Sequence, residues 1–139
     1  MYLIDTNLLS ELRLVGINRA NPLVKAWSDR QRSESLFLSA ITLLEVEIGT
    51  QRMERRDPVQ GATLRAWISG AVTSAFAGRI LPVDDRVATL AAAFHVPNPA
   101  PVADSLIAAT AIIHGLTVAT RNAADFRFPG VTVLNPWLA

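Results

Sequence analysis

Apolar and polar positions along this chain alternate between two kinds of segment. Short β-favouring runs, Tyr2-Leu3-Ile4, Leu36-Phe37-Leu38, Ile80-Leu81-Pro82-Val83 and Thr117-Val118-Ala119, are separated by longer stretches with helical spacing. A weaker fifth run, Val131-Thr132-Val133-Leu134, comes near the end. Strand and helix repeating in this order predict an α/β protein with a parallel sheet covered on both faces. Asn21-Pro22 and Asp57-Pro58 each offer a capping side chain followed by proline at a first helical position, and Gly115 after Ile113-His114 reads as a helix stop. The prolines between His95 and Pro101 make that stretch a connector between two helices.

The helix expected from about Ala103 to His114 is apolar almost all round, which predicts burial between the sheet and its neighbours. Asp104 is its only charge. Ala108 and Ala111 share a face with Asp104, so nothing bulky holds that carboxylate away from the sheet.

Composition narrows the class. A chain of 139 residues, half of them hydrophobic, can bury a core as one domain spanning 1–139. The absence of cysteine excludes a disulfide framework, an iron–sulfur cluster and a thiolate zinc site, and suits a reducing compartment, with the cytoplasm as the default expectation. Neither an export signal nor an apolar run of the ~20 residues that a membrane span needs is expected. Thirteen Lys+Arg against twelve Asp+Glu exclude a global polycation, so any nucleic-acid contact must be local. All basic residues but Lys25 are arginine, which suits planar recognition of phosphate or carboxylate but equally reflects a GC-rich coding sequence.

In a parallel α/β sheet, ligands collect beyond the carboxyl ends of the strands. Four acids are placed to reach that end: Asp5 closing the first strand, Glu45 in the helix after the second, Asp104 at the start of the buried helix and Asp125 after the fourth strand. Each also has a local structural explanation. Asp5 and Asp104 could be helix caps, Thr42-Leu-Leu-Glu45 has the spacing of a capping box, and Asn122-Ala-Ala-Asp125 resembles a cap pair. Four independent caps, however, need not gather at one sheet end. Asp84 is read as a plain cap, and Glu11, Glu34, Glu47 and Glu54 as surface or rim charge, with Glu47 facing away from Glu45. His95 and His114 are read as structural.

Clustered carboxylates raise one another's pKa unless a cation is present. At an effective dielectric near 20, two unit charges ~4 Å apart interact by about 4 kcal/mol, so several such groups do not stay ionised together cheaply. All-oxygen ligands favour Mg²⁺ or Mn²⁺ over zinc or copper, and Mg²⁺ keeps several waters. One such water can attack a phosphodiester.

The blocks L-I-D-T-N-L-L-S-E-L at 3–12, L-S-A-I-T-L-L-E at 38–45, F-A-G-R-I-L-P-V-D at 76–84, A-D-S-L-I-A-A-T-A at 103–111, H-G-L-T-V-A-T-R-N-A-A-D-F at 114–126 and N-P-W at 135–137 resemble, in order, the PIN-domain ribonucleases. Within that family the sequence is most similar to the VapC-type toxins of the FitB-like group. The resemblance implies a three-layer α/β/α sandwich, Mg²⁺-dependent endoribonuclease activity, inhibition by a cognate antitoxin of the VapB or FitA kind, and a homodimer that forms a higher assembly with it. Carried onto this chain, the catalytic and metal-binding acids are Asp5, Glu45, Asp104 and Asp125, with Thr6, Asn7, Thr120 and Asn122 in support. Asp125 is either a direct ligand or a cap, in which case Asn122 and an outer-sphere water complete the site. Arg121 could hold a substrate phosphate or make a fold-stabilising ion pair. Leu8, Leu9 and Leu12 could line an antitoxin groove or belong to the core.

Two other folds place acids at a sheet end. A haloacid-dehalogenase-like phosphatase needs a second Asp where Asn7 stands, and it and the receiver domains want a lysine near the phosphate, whereas Lys25 lies far from any strand end. A catalytically silent RNA- or protein-binding module of the same fold is the remaining alternative.

Overall fold

The computed structural model describes residues 1–138. Five strands, β1 (Tyr2–Ile4), β2 (Leu36–Ser39), β3 (Ile80–Leu81), β4 (Thr117–Ala119) and β5 (Val133–Leu134), form one sheet in the order β3-β2-β1-β4-β5, and every pairing is parallel. The third run ends at Leu81 because Pro82 has no N–H to give the ladder. The fifth starts late because Val131 still belongs to the turn through Gly130, donating its N–H to the Phe128 carbonyl at 3.3 Å.

The helices are α1 (Thr6–Val15), α2 (Pro22–Asp29), α3 (Ala40–Arg56), α4 (Pro58–Ala66), the short α5 (Thr73–Ala75), α6 (Asp85–Ala93) and α7 (Val102–Ile113), with a π-helical stretch at Trp67–Val72 joining α4 to α5. Asn21, Asp57 and Asp84 cap α2, α4 and α6, each accepting from backbone N–H groups of the first turn. None of these helices is long and apolar enough to cross a membrane.

Alternation along the strands sends side chains to opposite faces. Ile4, Leu38 and Ala119 join a core with Leu8, Leu9, Val24, Trp27, Val46 and Phe76 on one side, and Leu3 and Val118 meet Ile107, Ala108 and Ala111 of α7 on the other. Beyond α7 lies α6, whose Val87 and Ala91 pack on Ala109. The helix is thus pressed from both sides, which is why it tolerates so little polarity. It ends as a Schellman turn: Gly115 takes φ +66°, Leu116 N–H donates to the Ala111 carbonyl (2.8 Å) and Gly115 N–H to that of Ile112 (3.2 Å). His95 ties the preceding connector to the helix start, with its Nε2 2.9 Å from Ser105 Oγ and its Nδ1 accepting from Ala100 N–H.

Helices α3 and α4 form a tight hairpin. A Cβ on Gly61 would lie 2.4 Å from Glu54 Cα, so only glycine permits this approach. Arg65 closes the hairpin through Glu47 (2.6 Å) and Glu54 (3.0 Å), which accounts for two of the acids read as rim charge and turns Glu47 away from Glu45.

Candidate active site

The sheet order reverses at β1, which leads outward to β2 on one side and β4 on the other, leaving a crevice at the carboxyl ends of these strands. Ile4 is in register with Leu38 and with Ala119, so the next residues along, Asp5, Ser39 and Thr120, face one another, and all three are buried.

Asp5 is a cap and more than a cap. Its Oδ1 accepts from Leu8 N–H at 2.9 Å, starting α1, while its Oδ2 accepts from Thr120 Oγ1 at 2.5 Å. Thr120 Oγ1 in turn accepts from Asn122 N–H at 2.9 Å, so the strand-four loop is locked onto the strand-one carboxylate. Burial pushes the Asp5 carboxyl above its ordinary pKa; the Thr120 and Leu8 hydrogen bonds oppose this, and the Glu45 charge adds to it.

The remaining local explanations fail on geometry. α3 is capped by Ser39, whose Oγ accepts from Ile41 N–H at 3.0 Å, so Thr42 and Glu45 lie within the helix and make no capping box. Glu45 is exposed and accepts instead from Thr6 Oγ1 at 2.7 Å, joining α3 to α1, while Thr42 Oγ1 is buried with no partner. α7 begins after Pro101, which places Asp104 inside the first turn with no capping bond. Asn122 makes no side-chain cap to the 3-10 turn Ala123–Phe126, and Asp125 lies exposed within that turn.

Asp5, Glu45, Asp104 and Asp125 line a single pocket of about 160 Å³, together with Thr6, Asn7 and Asn122. Thr120 lies beneath it, fully buried. Asp104, half-buried, is raised above the ordinary carboxylate pKa first by burial and then by the charges of Asp125, Glu45 and Asp5. Each acid comes from a different element, so the repulsion is created by the tertiary fold. Among the described residues, no three acidic or histidine side chains are drawn together as ligands of one ion; the acids stand around the pocket wall. The donor set nonetheless fits a hard divalent cation, being all oxygen and short of positive charge.

A second pocket of about 510 Å³ adjoins the first and shares Asn7 and Asn122 with it; Arg13, Arg121 and Trp137 are among its other walls. Arg121 makes no ion pair among the described residues. Its guanidinium lies over the Trp137 ring, 5.5 Å from the centroid. Ser10, Glu11 and Arg13 reach this pocket from α1, and the pairing of β4 with β5 brings position 137 near position 121; neither proximity carries a signal in the sequence. Leu8 is fully buried in the core and cannot face a partner. Leu9 and the half-buried Leu12 line an apolar pocket of about 220 Å³ with Trp67, Val72 and Phe76.

A switch-point crevice ringed by acids from β1, α3, α7 and the loop after β4 is the arrangement that the sequence motifs implied, and the chain belongs to the PIN-domain family, which it matches over residues 2–129. It is 39% identical over 148 residues to the VapC ribonuclease Y4jK of Sinorhizobium fredii, covering 99% of this chain and 98% of that protein. It is likewise 39% identical over 144 residues to toxin FitB of Neisseria gonorrhoeae, covering 99% of both. The fold superposes on the crystal structure of FitAcB from Neisseria gonorrhoeae with a TM-score of 0.88 at 37% identity over the full length of both chains.

Proposed function

We propose that this chain is a Mg²⁺-dependent endoribonuclease, the toxin of a toxin–antitoxin pair, with Mn²⁺ able to replace Mg²⁺. The observation that supports it most is the convergence of four carboxylates from four elements on one pocket, where burial and then the charges of the other three raise the pKa of Asp104. Relatives similar along their whole length are named a ribonuclease and a toxin, which supports RNA as the substrate, and the absence of cysteine suits a bacterial cytoplasm.

Asp5, Glu45, Asp104 and Asp125 would hold the cation, in part through the waters such an ion keeps, and when bound it supplies Lewis acidity to water and to the phosphodiester. The chain's own residues orient the rest. Thr120 and the Leu8 N–H fix the Asp5 carboxylate from below, and Thr6 steers Glu45 inward from α1. The carboxamides of Asn7 and Asn122 line the same pocket, where their N–H groups suit the non-bridging oxygens of a phosphate. Ile107 and Phe126 form its apolar wall and limit bulk water.

The antitoxin reading draws on the same charges. A structure 36% identical to this chain is of FitAB bound to DNA, and a cleft of uncompensated carboxylates is a ready acceptor for an arginine of a small cognate partner. Homodimerisation of the toxin, and a higher assembly with the antitoxin, belong to this proposal.

Single-stranded RNA incubated with the purified protein and Mg²⁺ should be cut internally, and EDTA should stop the reaction. Asp104→Asn should slow cleavage by about 10²-fold or more while RNA affinity stays level or rises, since a metal-holding group acts mainly in the transition state. Robust cleavage in excess chelator would remove the metal from the proposal. Equal loss of binding and cleavage in folded Asp104→Asn would favour the silent binding module.

A further inference from the structure

The acid pocket, at about 160 Å³, is the smaller of two adjoining pockets, and an RNA whose scissile phosphate lies among the acids must carry its chain on over the neighbouring surface. The larger pocket opens directly beside it, across Asn7 and Asn122. Its charge is of the opposite kind: Arg13 and Arg121 stand against Glu11, whose Oε1 already accepts from Asn21 N–H at 2.7 Å. The Arg121 guanidinium lies over Trp137, 5.5 Å from the ring centroid, and the Arg121 backbone is held from behind. Asn135 Nδ2 donates to the Arg121 carbonyl (3.3 Å), while Asn135 Oδ1 accepts from Trp137 N–H (2.9 Å), so one side chain sets the spacing of the stacked pair.

We propose that this pocket is the subsite for the nucleotide adjoining the scissile bond, with Arg121 binding that nucleotide's phosphate and Trp137 acting as the positioning residue that holds the guanidinium flat at the pocket wall. The inference rests on the ribonuclease reading and adds to it where the substrate runs. A guanidinium stacked on an indole loses little rotamer freedom when it binds phosphate, and its fork of N–H donors suits that anion. A lysine at this position would keep the charge but lose both the stack and the fork. The subsite acts on substrate binding and leaves the acid pocket untouched, so it should govern KM and not kcat.

The test uses a random-sequence single-stranded RNA decamer, with affinity measured by fluorescence anisotropy in Ca²⁺ and cleavage measured in Mg²⁺. Arg121→Ala should weaken binding about tenfold and reduce the slope of log Kd against log salt by about 0.7, the share of one single-strand phosphate. KM should rise with kcat nearly unchanged, and Arg121→Lys should restore the salt slope but only part of the affinity. Trp137→Phe, which keeps an aromatic face and guards against misfolding, should lie between wild type and Arg121→Ala, with circular dichroism unchanged. If wild type binds and cuts the decamer while folded Arg121→Ala keeps its affinity and salt slope, the subsite is overturned and the nuclease reading stands. If wild type neither binds nor cuts any RNA, the nuclease reading fails, and the subsite fails with it.

Discussion

Asp5 shows how one side chain can be fully engaged in the fold and still border the pocket. One oxygen starts α1 and the other takes the Thr120 hydroxyl, so neither is idle in the fold, yet the carboxylate still borders the pocket. Asp5→Ala should therefore cost about 1–3 kcal/mol, through a lost cap and a buried Thr120 hydroxyl left without its acceptor, measurable by urea denaturation. Asp104 is the opposite case, because no hydrogen bond of its own offsets burial and repulsion. Its pKa in the fold lies above the ordinary 3.8, so the folded state holds the proton more tightly than the unfolded chain does. The resulting destabilisation is absent below the unfolded pKa and grows as pH rises through the folded one. In metal-free buffer Asp104→Asn should then melt higher than wild type at pH 7, and the difference should vanish on acidification below about pH 3.5. A lower melting temperature for the variant at pH 7 would show instead that the Asp104 carboxylate makes a net stabilising contact.

At the level of elements, the α3–α4 hairpin gives the same substitution opposite signs. Gly49 sits in the interior of α3 with open space where a Cβ would stand, whereas Gly61 of α4 touches the backbone of Glu54. Gly49→Ala should stabilise by roughly 0.5–1 kcal/mol, through lower unfolded-chain entropy. Gly61→Ala should destabilise by about 1–3 kcal/mol as the helices are forced apart. Thermal melts of the two single variants decide the matter, and two shifts of the same sign would contradict the packing described. The hairpin bears on the proposed function because α3 also delivers Glu45 to the pocket.

The whole molecule unites carboxylates that the chain keeps far apart, and the binding of a cation should be felt by the entire fold. Mg²⁺ or Mn²⁺ should raise the melting temperature of wild type in proportion to the logarithm of its concentration above Kd, and raise that of Asp104→Asn much less. Equal gains in both proteins would place the ion elsewhere. Expression in a bacterial host supplies the other test at this scale: production of the chain alone should arrest growth, and Asp5→Asn should relieve the arrest while leaving a folded protein. Undiminished toxicity in that variant would take Asp5 out of the site.

How much of this was legible in the chain depends on the range of the interaction. Strand runs, the Asn21, Asp57 and Asp84 caps, the Gly115 stop and the apolar α7 are governed by residues within one or two turns of each other, so local pattern determined them, and the ordered motif blocks determined the family. The candidate acids could be named as a set for the same reason, each standing just beyond a predicted strand or at a predicted helix start. Their competing local roles could not be settled from spacing. A capping box at Thr42 and Glu45 is sound in sequence, and only the position of Ser39 at the end of β2 removes it. Long-range contacts were decided by the tertiary structure alone: Thr120 beneath Asp5, Thr6 against Glu45, the charges around Asp104, and Arg121 laid over Trp137. The physical reason is that these depend on strand order. Parallel pairing of β1 with β4 and of β4 with β5 brings together residues whose separation along the chain carries no local signal, and electrostatic and stacking energies follow distance in space.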